Sequence, residues 1–157
     1  MSETITLRKA SAADHARIMR IWREASRVGH PFLSEEDLDA QEHTTRREHL
    51  PQADITVAAR NGAIVGFIAT LGDSVGGLFV APDAQGQGIG RRLVETAQGR
   101  SSSLKLTVYE ANRQARAFYA RLGFRPVGRS ERDVEGRPLP VLILGWEIGG
   151  CPSTRRV

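Results

Sequence analysis

Apolar positions change their period several times along this chain, and each change marks a predicted element. Residues 4–8 alternate polar and apolar side chains, which predicts an opening strand. Ile18, Ile21, Trp22 and Ala25 then recur at i, i+3, i+4 and i+7, the stripe of an amphipathic helix that Ser11 or Asp14 can cap. Val28-Gly29-His30-Pro31-Phe32 interrupts it, because glycine ends helices and the residue before proline resists helical backbone. Ser34, followed by acids at 35–37, signals a second helix start. That helix is predicted to reach about Leu50 and to stop at Pro51.

Strand signals return at 55–60 and 63–69, on either side of Asn61-Gly62, the best hairpin signal in the chain. A third strand follows over 74–80, joined through Gly72-Asp73. A helix is predicted from about 88 to 99, a strand over 104–109, and a helix over 112–122 that Gly123 ends. Residues 125–131 and 139–147 read as two closing strands around the Glu135-Gly136 turn. The order β-α-α-β-β-β-α-β-α-β-β predicts a mixed α/β (α+β) fold of about seven strands and four helices, in one domain over 1–148. Residues 149–157 read as a frayed tail.

Composition narrows the picture without naming a function. A length of 157 residues suits one domain with a proper core, and 40% hydrophobic with 25% charged residues is ordinary for a globular chain. No run approaches the ~18 apolar residues of a membrane span, and the N-terminus carries no signal-peptide centre. The single cysteine, Cys151, excludes an intrachain disulfide and makes a reducing, cytoplasmic setting the expectation. Nothing beside it in sequence would lower its pKa, so it reads as incidental. A net charge of +4 raises nucleic acid as a partner, but the arginines are not interleaved with aromatics as a binding platform requires. No cluster has metal-ligand spacing, and no metal is expected.

The most informative residues lie where the third of these strands meets the next helix. Leu78-Phe79-Val80 lead into Gln85-Gly86-Gln87-Gly88-Ile89-Gly90, and the helix opens with Arg91-Arg92. Glycines let the backbone approach a ligand, and the N–H groups of the first helical turn point at it. The helix dipole and the arginines favour an anion there. The stretch is not a P-loop, since no Gly-Lys-Ser/Thr closes it, and its spacing departs from the dinucleotide fingerprint. Gln85-x-x-Gly88-x-Gly90 after a strand meander resembles the pyrophosphate-binding signature of the GNAT superfamily of acetyl-CoA-dependent N-acyltransferases. Residues 112–124 resemble that superfamily's N-x-x-A-x-x-F-Y-x-x-x-G-F segment independently. The element order also matches over 4–148, which implies a mostly antiparallel sheet. Residues 29–34, 128–131 and 136–140 are similar to the small bacterial YjaB/YiaC-like members.

The resemblance implies acetyl-CoA as co-substrate and direct transfer of the acetyl group to a primary amine in a ternary complex. It implies that Gln85, Gly86, Gln87, Gly88, Ile89 and Gly90 wrap the pyrophosphate with backbone amides. Arg91 and Arg92 can add charge there, although a solvated helix face also explains them. Leu78, Phe79 and Val80 would pair with the pantetheine arm, and a peptide N–H of Phe79 or Val80 would polarise the thioester carbonyl. Asn112 would cap its helix or bond the pantetheine. Tyr119 would protonate the departing sulfur, with Phe118 packing beside it or contributing to the cofactor site.

The acceptor side is less legible. His30, Glu35, Glu36, His43, Asp73 and Ser74 are all candidates to receive the amine proton, and spacing singles out none of them. His30 is favoured because it interrupts two helices and imidazole titrates in the useful range. His30, Phe32 and Ser74 are therefore the expected acceptor-side residues. The acceptor itself stays open between a protein lysine or α-amino group and a small-molecule amine. The alternative function is a non-catalytic acyl-CoA sensor or recruitment module, which would not need Tyr119. Monomer and homodimer are both compatible with the sequence.

Overall fold

Asn61 and Gly62 both take positive φ, 52° and 88°, the pair of left-handed residues that a two-residue hairpin turn demands. Arg60 pairs with Ala63 across that turn, and a bulge between Ala58 and Ala59 shifts the register of the rest of the hairpin. The computed structural model describes residues 4–149; the expectations for Cys151 and for the tail beyond residue 149 lie outside them. Its elements are β1 (Ile5–Lys9), α1 (His15–Gly29), α2 (Glu35–Thr44), β2 (Asp54–Arg60), β3 (Ala63–Leu71) and β4 (Ser74–Val80). Then come α3 (Ile89–Gln98), β5 (Ser103–Tyr109), α4 (Arg113–Arg121), β6 (Arg125–Ser130) and β7 (Val141–Glu147). Seven strands form one sheet in the order β1-β2-β3-β4-β5-β7-β6. The predicted order of elements is the observed one.

Two compact units divide the chain, residues 4–71 with 76–96, and residues 72–75 with 97–149. In the first, Ile18, Met19, Ile21, Trp22 and Ala25 of α1 are buried, as their spacing requires. Each such large side chain contributes roughly 1.5–3 kcal/mol by leaving water. Residues 55–59 of β2 and 64–68 of β3 are buried without alternation, the mark of strands covered on both faces. Gly66 is needed there, because a Cβ on it would sit 3.1 Å from the Phe79 carbonyl oxygen.

The second helix departs from expectation. Regular α-helix ends at Thr44, and residues 45–49 continue as a single π turn closed by Leu50 N–H donating to Thr45 O at 2.8 Å. Thr44 bonds its hydroxyl back to Ala40 O at 3.2 Å, a competing link that loosens the ladder just where the turn widens. The helical path still stops at Pro51.

In the second unit β5 alternates, with Leu104, Leu106 and Val108 inward. The last strand in sequence, β7, lies between β5 and β6 and runs antiparallel to both. This leaves β6 at the edge, where Pro126 and a register shift before Gly128 blunt further pairing. Ser74, the first residue of β4, meets Lys105 of β5 in parallel, and Lys105 N–H donates to Asp73 O at 2.8 Å.

Candidate active site

The glycine turn is built within the first unit. Leu78, Phe79 and Val80 are half-buried at the end of β4. The Phe79 ring packs edge-on to Trp22 at 6.5 Å and tilts against Phe67 at 5.6 Å. Gly77 makes room for it, since a Cβ at that position would fall 2.8 Å from the Phe79 ring. After a 3-10 turn over Pro82–Ala84 the chain enters Gln85 to Gly88, all exposed. Gly86 and Gly88 take φ of 79° and 82°, which only glycine adopts freely. Buried Ile89 then anchors the start of α3. The first turn of any helix leaves its N–H groups without carbonyls behind them, so α3 offers donors next to the exposed glycines.

Side chains around the turn make contacts within the protein. Gln85 donates from its side-chain amide to Val80 O at 3.0 Å, which ties the turn to the end of β4. Gln87 accepts from Arg60 at 2.9 Å. Arg91 pairs through Nε with Glu95 one turn on, at 3.0 Å, while staying largely exposed. Arg92 donates to Ile5 O at 3.2 Å, which ties α3 to β1.

The connection between α1 and α2 carries the expected acceptor-side pair. His30 caps α1, its N–H donating to Ser26 O at 2.8 Å, and its ring lies 5.7 Å from that of Phe32. Ser34 and Asp37 cap α2 reciprocally at 3.0 and 3.1 Å. Burial pushes the His30 imidazole down to about 4, so the ring is neutral at physiological pH. Glu35 is held at about 2 by Arg27 and Arg23, which unfits it as a proton acceptor. His43 is exposed and lies beside Arg47. Glu36, Asp73 and Ser74 are exposed, and Ser74 belongs to the β4–β5 junction of the second unit.

Tyr119 lies in the second unit on α4. Asn112 caps that helix, its side-chain oxygen accepting from Ala115 N–H at 3.1 Å. Tyr119 is buried, with Phe118 edge-on at 5.1 Å and Phe124 at 5.5 Å. Gly123 ends the helix at φ 95°, where a Cβ would fall 3.1 Å from the Trp146 ring. Burial raises the Tyr119 phenol above its ordinary value, which keeps the proton on the oxygen at neutral pH. Among the described residues its hydroxyl makes no hydrogen bond.

Two features of this unit escaped sequence reasoning. Asp133 is buried and bound to Tyr109, 24 residues away; its position two before Glu135 is a turn signal, but the tyrosine is not visible from there. A groove of about 460 Å³ between α4 and the β6–β7 face is lined by Ala117, Ala120, Phe124 and Leu144 together with Arg113 and Arg116. None of the expected site residues lines it. Among the described residues no group of three or more His, Cys, Asp or Glu is placed to hold a metal, and no helix is long and apolar enough to cross a membrane.

Residues 23–139 match the family described as acetyltransferase (GNAT) domain. The chain belongs to that family and uses acetyl-CoA as its acetyl donor. It is 37% identical over 141 residues to the peptidyl-lysine N-acetyltransferase YjaB of Salmonella typhimurium, covering 89% of this chain and 97% of that one. It is 31% identical over 143 residues to the peptidyl-lysine N-acetyltransferase YiaC of Escherichia coli, covering 90% and 97%. The solution structure of apo YjaB from Escherichia coli superposes with a TM-score of 0.82 at 36% identity, over 91% of this chain and 97% of that one.

Proposed function

We propose that this N-acetyltransferase transfers acetyl from acetyl-CoA directly to the side-chain amine of a protein lysine. The observation that carries the donor half is the pair of left-handed glycines, Gly86 and Gly88, presenting the first turn of α3. The lysine acceptor rests on YjaB and YiaC, which are named for that acceptor and match nearly the whole chain. Residues 1–148 act as one domain, a reading supported by a family match that spans parts of both compact units. The reducing cytoplasm suits a chain with one cysteine.

The mechanism we infer needs a gripped donor, a neutral amine and a proton for the leaving sulfur. Backbone amides from Gln85 to Gly90 hold the pyrophosphate, and Leu78, Phe79 and Val80 align the pantetheine. The N–H of Phe79 or Val80 donates to the thioester oxygen as the amine attacks. Tyr119 then gives its proton to the sulfur. Burial makes the phenol a weaker acid, but the same apolar surroundings penalise a thiolate, so the transfer stays favourable. His30 and Phe32 flank the amine, with the neutral imidazole accepting its hydrogen bond while the proton leaves through water.

Initial-rate kinetics test this. Varying acetyl-CoA against a lysine peptide is expected to give intersecting lines, with thiol release matched by peptide acetylation on mass spectrometry. Parallel lines would show a covalent acetyl-enzyme and refute direct transfer. Tyr119→Phe is expected to lower kcat about 100-fold with little change in the KM for acetyl-CoA.

A further inference from the structure

Asp133 is the buried carboxylate among the described residues, and no step of acetyl transfer uses it. One oxygen accepts the backbone N–H groups of Glu135 and Arg137 at 3.0 and 2.8 Å. The other accepts the Tyr109 hydroxyl at 2.8 Å and the Arg137 guanidinium at 3.0 Å. Burial alone would raise this carboxyl, but the bonds from Tyr109 and Arg137 hold it below its ordinary range. A charge so fully committed fixes whatever it touches.

What it touches leads to α4. Tyr109 ends β5, and its carbonyl accepts Asn112 N–H at 3.0 Å. Glu110, the next residue, donates its N–H to Pro140 O at 2.9 Å and receives the Arg116 guanidinium on its carbonyl at 2.9 Å. Its carboxylate takes Arg129 in a fork at 2.9 and 3.1 Å. Asn112 then caps α4. The helix has nine residues, about 13 Å of stiff rod, so a displacement at its cap is passed along it toward Tyr119. Tyr119 has no hydrogen bond of its own to correct such a shift among the described residues.

We propose that Asp133, acting through the Tyr109 hydroxyl, is a positioning residue for Tyr119: it fixes the turn 109–112 from which α4 departs and thereby the place of the phenol. This rests on Tyr119 being the acid. A misplacement of about 1 Å in a reacting group can cost on the order of 100-fold, so a smaller shift suffices for a measurable effect.

A double-mutant cycle on the full chain tests the coupling, with kcat measured on acetyl-CoA and a lysine peptide and corrected for the folded fraction by circular dichroism. Tyr109→Phe removes only the hydroxyl; Asp133→Asn removes the charge. Each is expected to lower kcat about tenfold in the otherwise unchanged protein and less than about twofold in a Tyr119→Phe background. Equal losses in both backgrounds, or a loss that vanishes on correcting for folded protein, overturn the coupling while leaving the acid assignment intact. A Tyr119→Phe protein that is fully active overturns the acid assignment, and the coupling with it. Should Asp133→Asn not fold, Tyr109→Phe alone completes the cycle.

Discussion

Gln85 donates its side-chain amide to the carbonyl oxygen of Val80 across 3.0 Å, tying the end of β4 to the glycine turn that follows it. The link shortens the list of conformations open to a turn whose glycines would otherwise be free. It also gives the side chain which the signature places first a role within the loop itself.

Gln85→Ala is therefore expected to raise the KM for acetyl-CoA about fivefold, the equivalent of one net hydrogen bond near 1 kcal/mol. The kcat should stay within about twofold. Steady-state kinetics with the acceptor saturating would check this, and an unchanged KM would show that the loop is held by its backbone alone.

Gly77 is confined by the Phe79 ring, which Trp22 and Phe67 hold in place. Gly77→Ala forces the half-buried Phe79 ring to shift against Trp22 and Phe67, with an expected loss of about 1 kcal/mol in stability. Urea denaturation followed by tryptophan fluorescence measures it directly.

His30 makes stability depend on pH. Its folded value, about 4, lies below the ~6.5 of an unfolded histidine, so the unfolded chain binds the extra proton between these limits. Stability is then full above pH ~6.5 and falls as pH drops toward 4, by about 2 kcal/mol after allowing for the ring's residual exposure. Asp14, with Arg8 on its carboxylate, and Glu35, with Arg27 and Arg23, are also depressed, and their contributions are lost below that window. His30→Gln should flatten the curve between pH 6.5 and 4.5 in calorimetric scans.

Asn112 separates capping from donor binding. Asn112→Ala is expected to cost about 1 kcal/mol through the lost cap of α4, and Asn112→Ser to restore most of it. Recovery of the KM for acetyl-CoA along with stability assigns Asn112 to capping. A KM still raised in the serine variant assigns it a contact with the donor.

Local chemistry was legible in the chain to the residue. Asn61-Gly62 announced its turn because two left-handed residues in succession suit few other pairs, and Ser34, Asn112 and Gly123 marked helix ends because their roles need only neighbours three residues away. The π turn over 45–49 was not legible, since the helical pattern there does not say how the ladder ends. The acceptor side was legible only as a region. Its candidates differ in burial and in ion partners, and Glu35 pairs with two arginines from α1 that spacing could not bring to it.

By itself the sequence determined the kind and order of the elements, the glycine turn at the head of α3 and the cap that begins α4. These follow from backbone sterics and from hydrogen bonds that span a few residues. Tertiary structure decided that β7 lies between β5 and β6, that Gln85 spends its amide on Val80, that His30 is neutral, and that Tyr109 reaches Asp133. Each of these depends on where a distant segment returns and on what it takes out of water, and both are set only when the chain has packed.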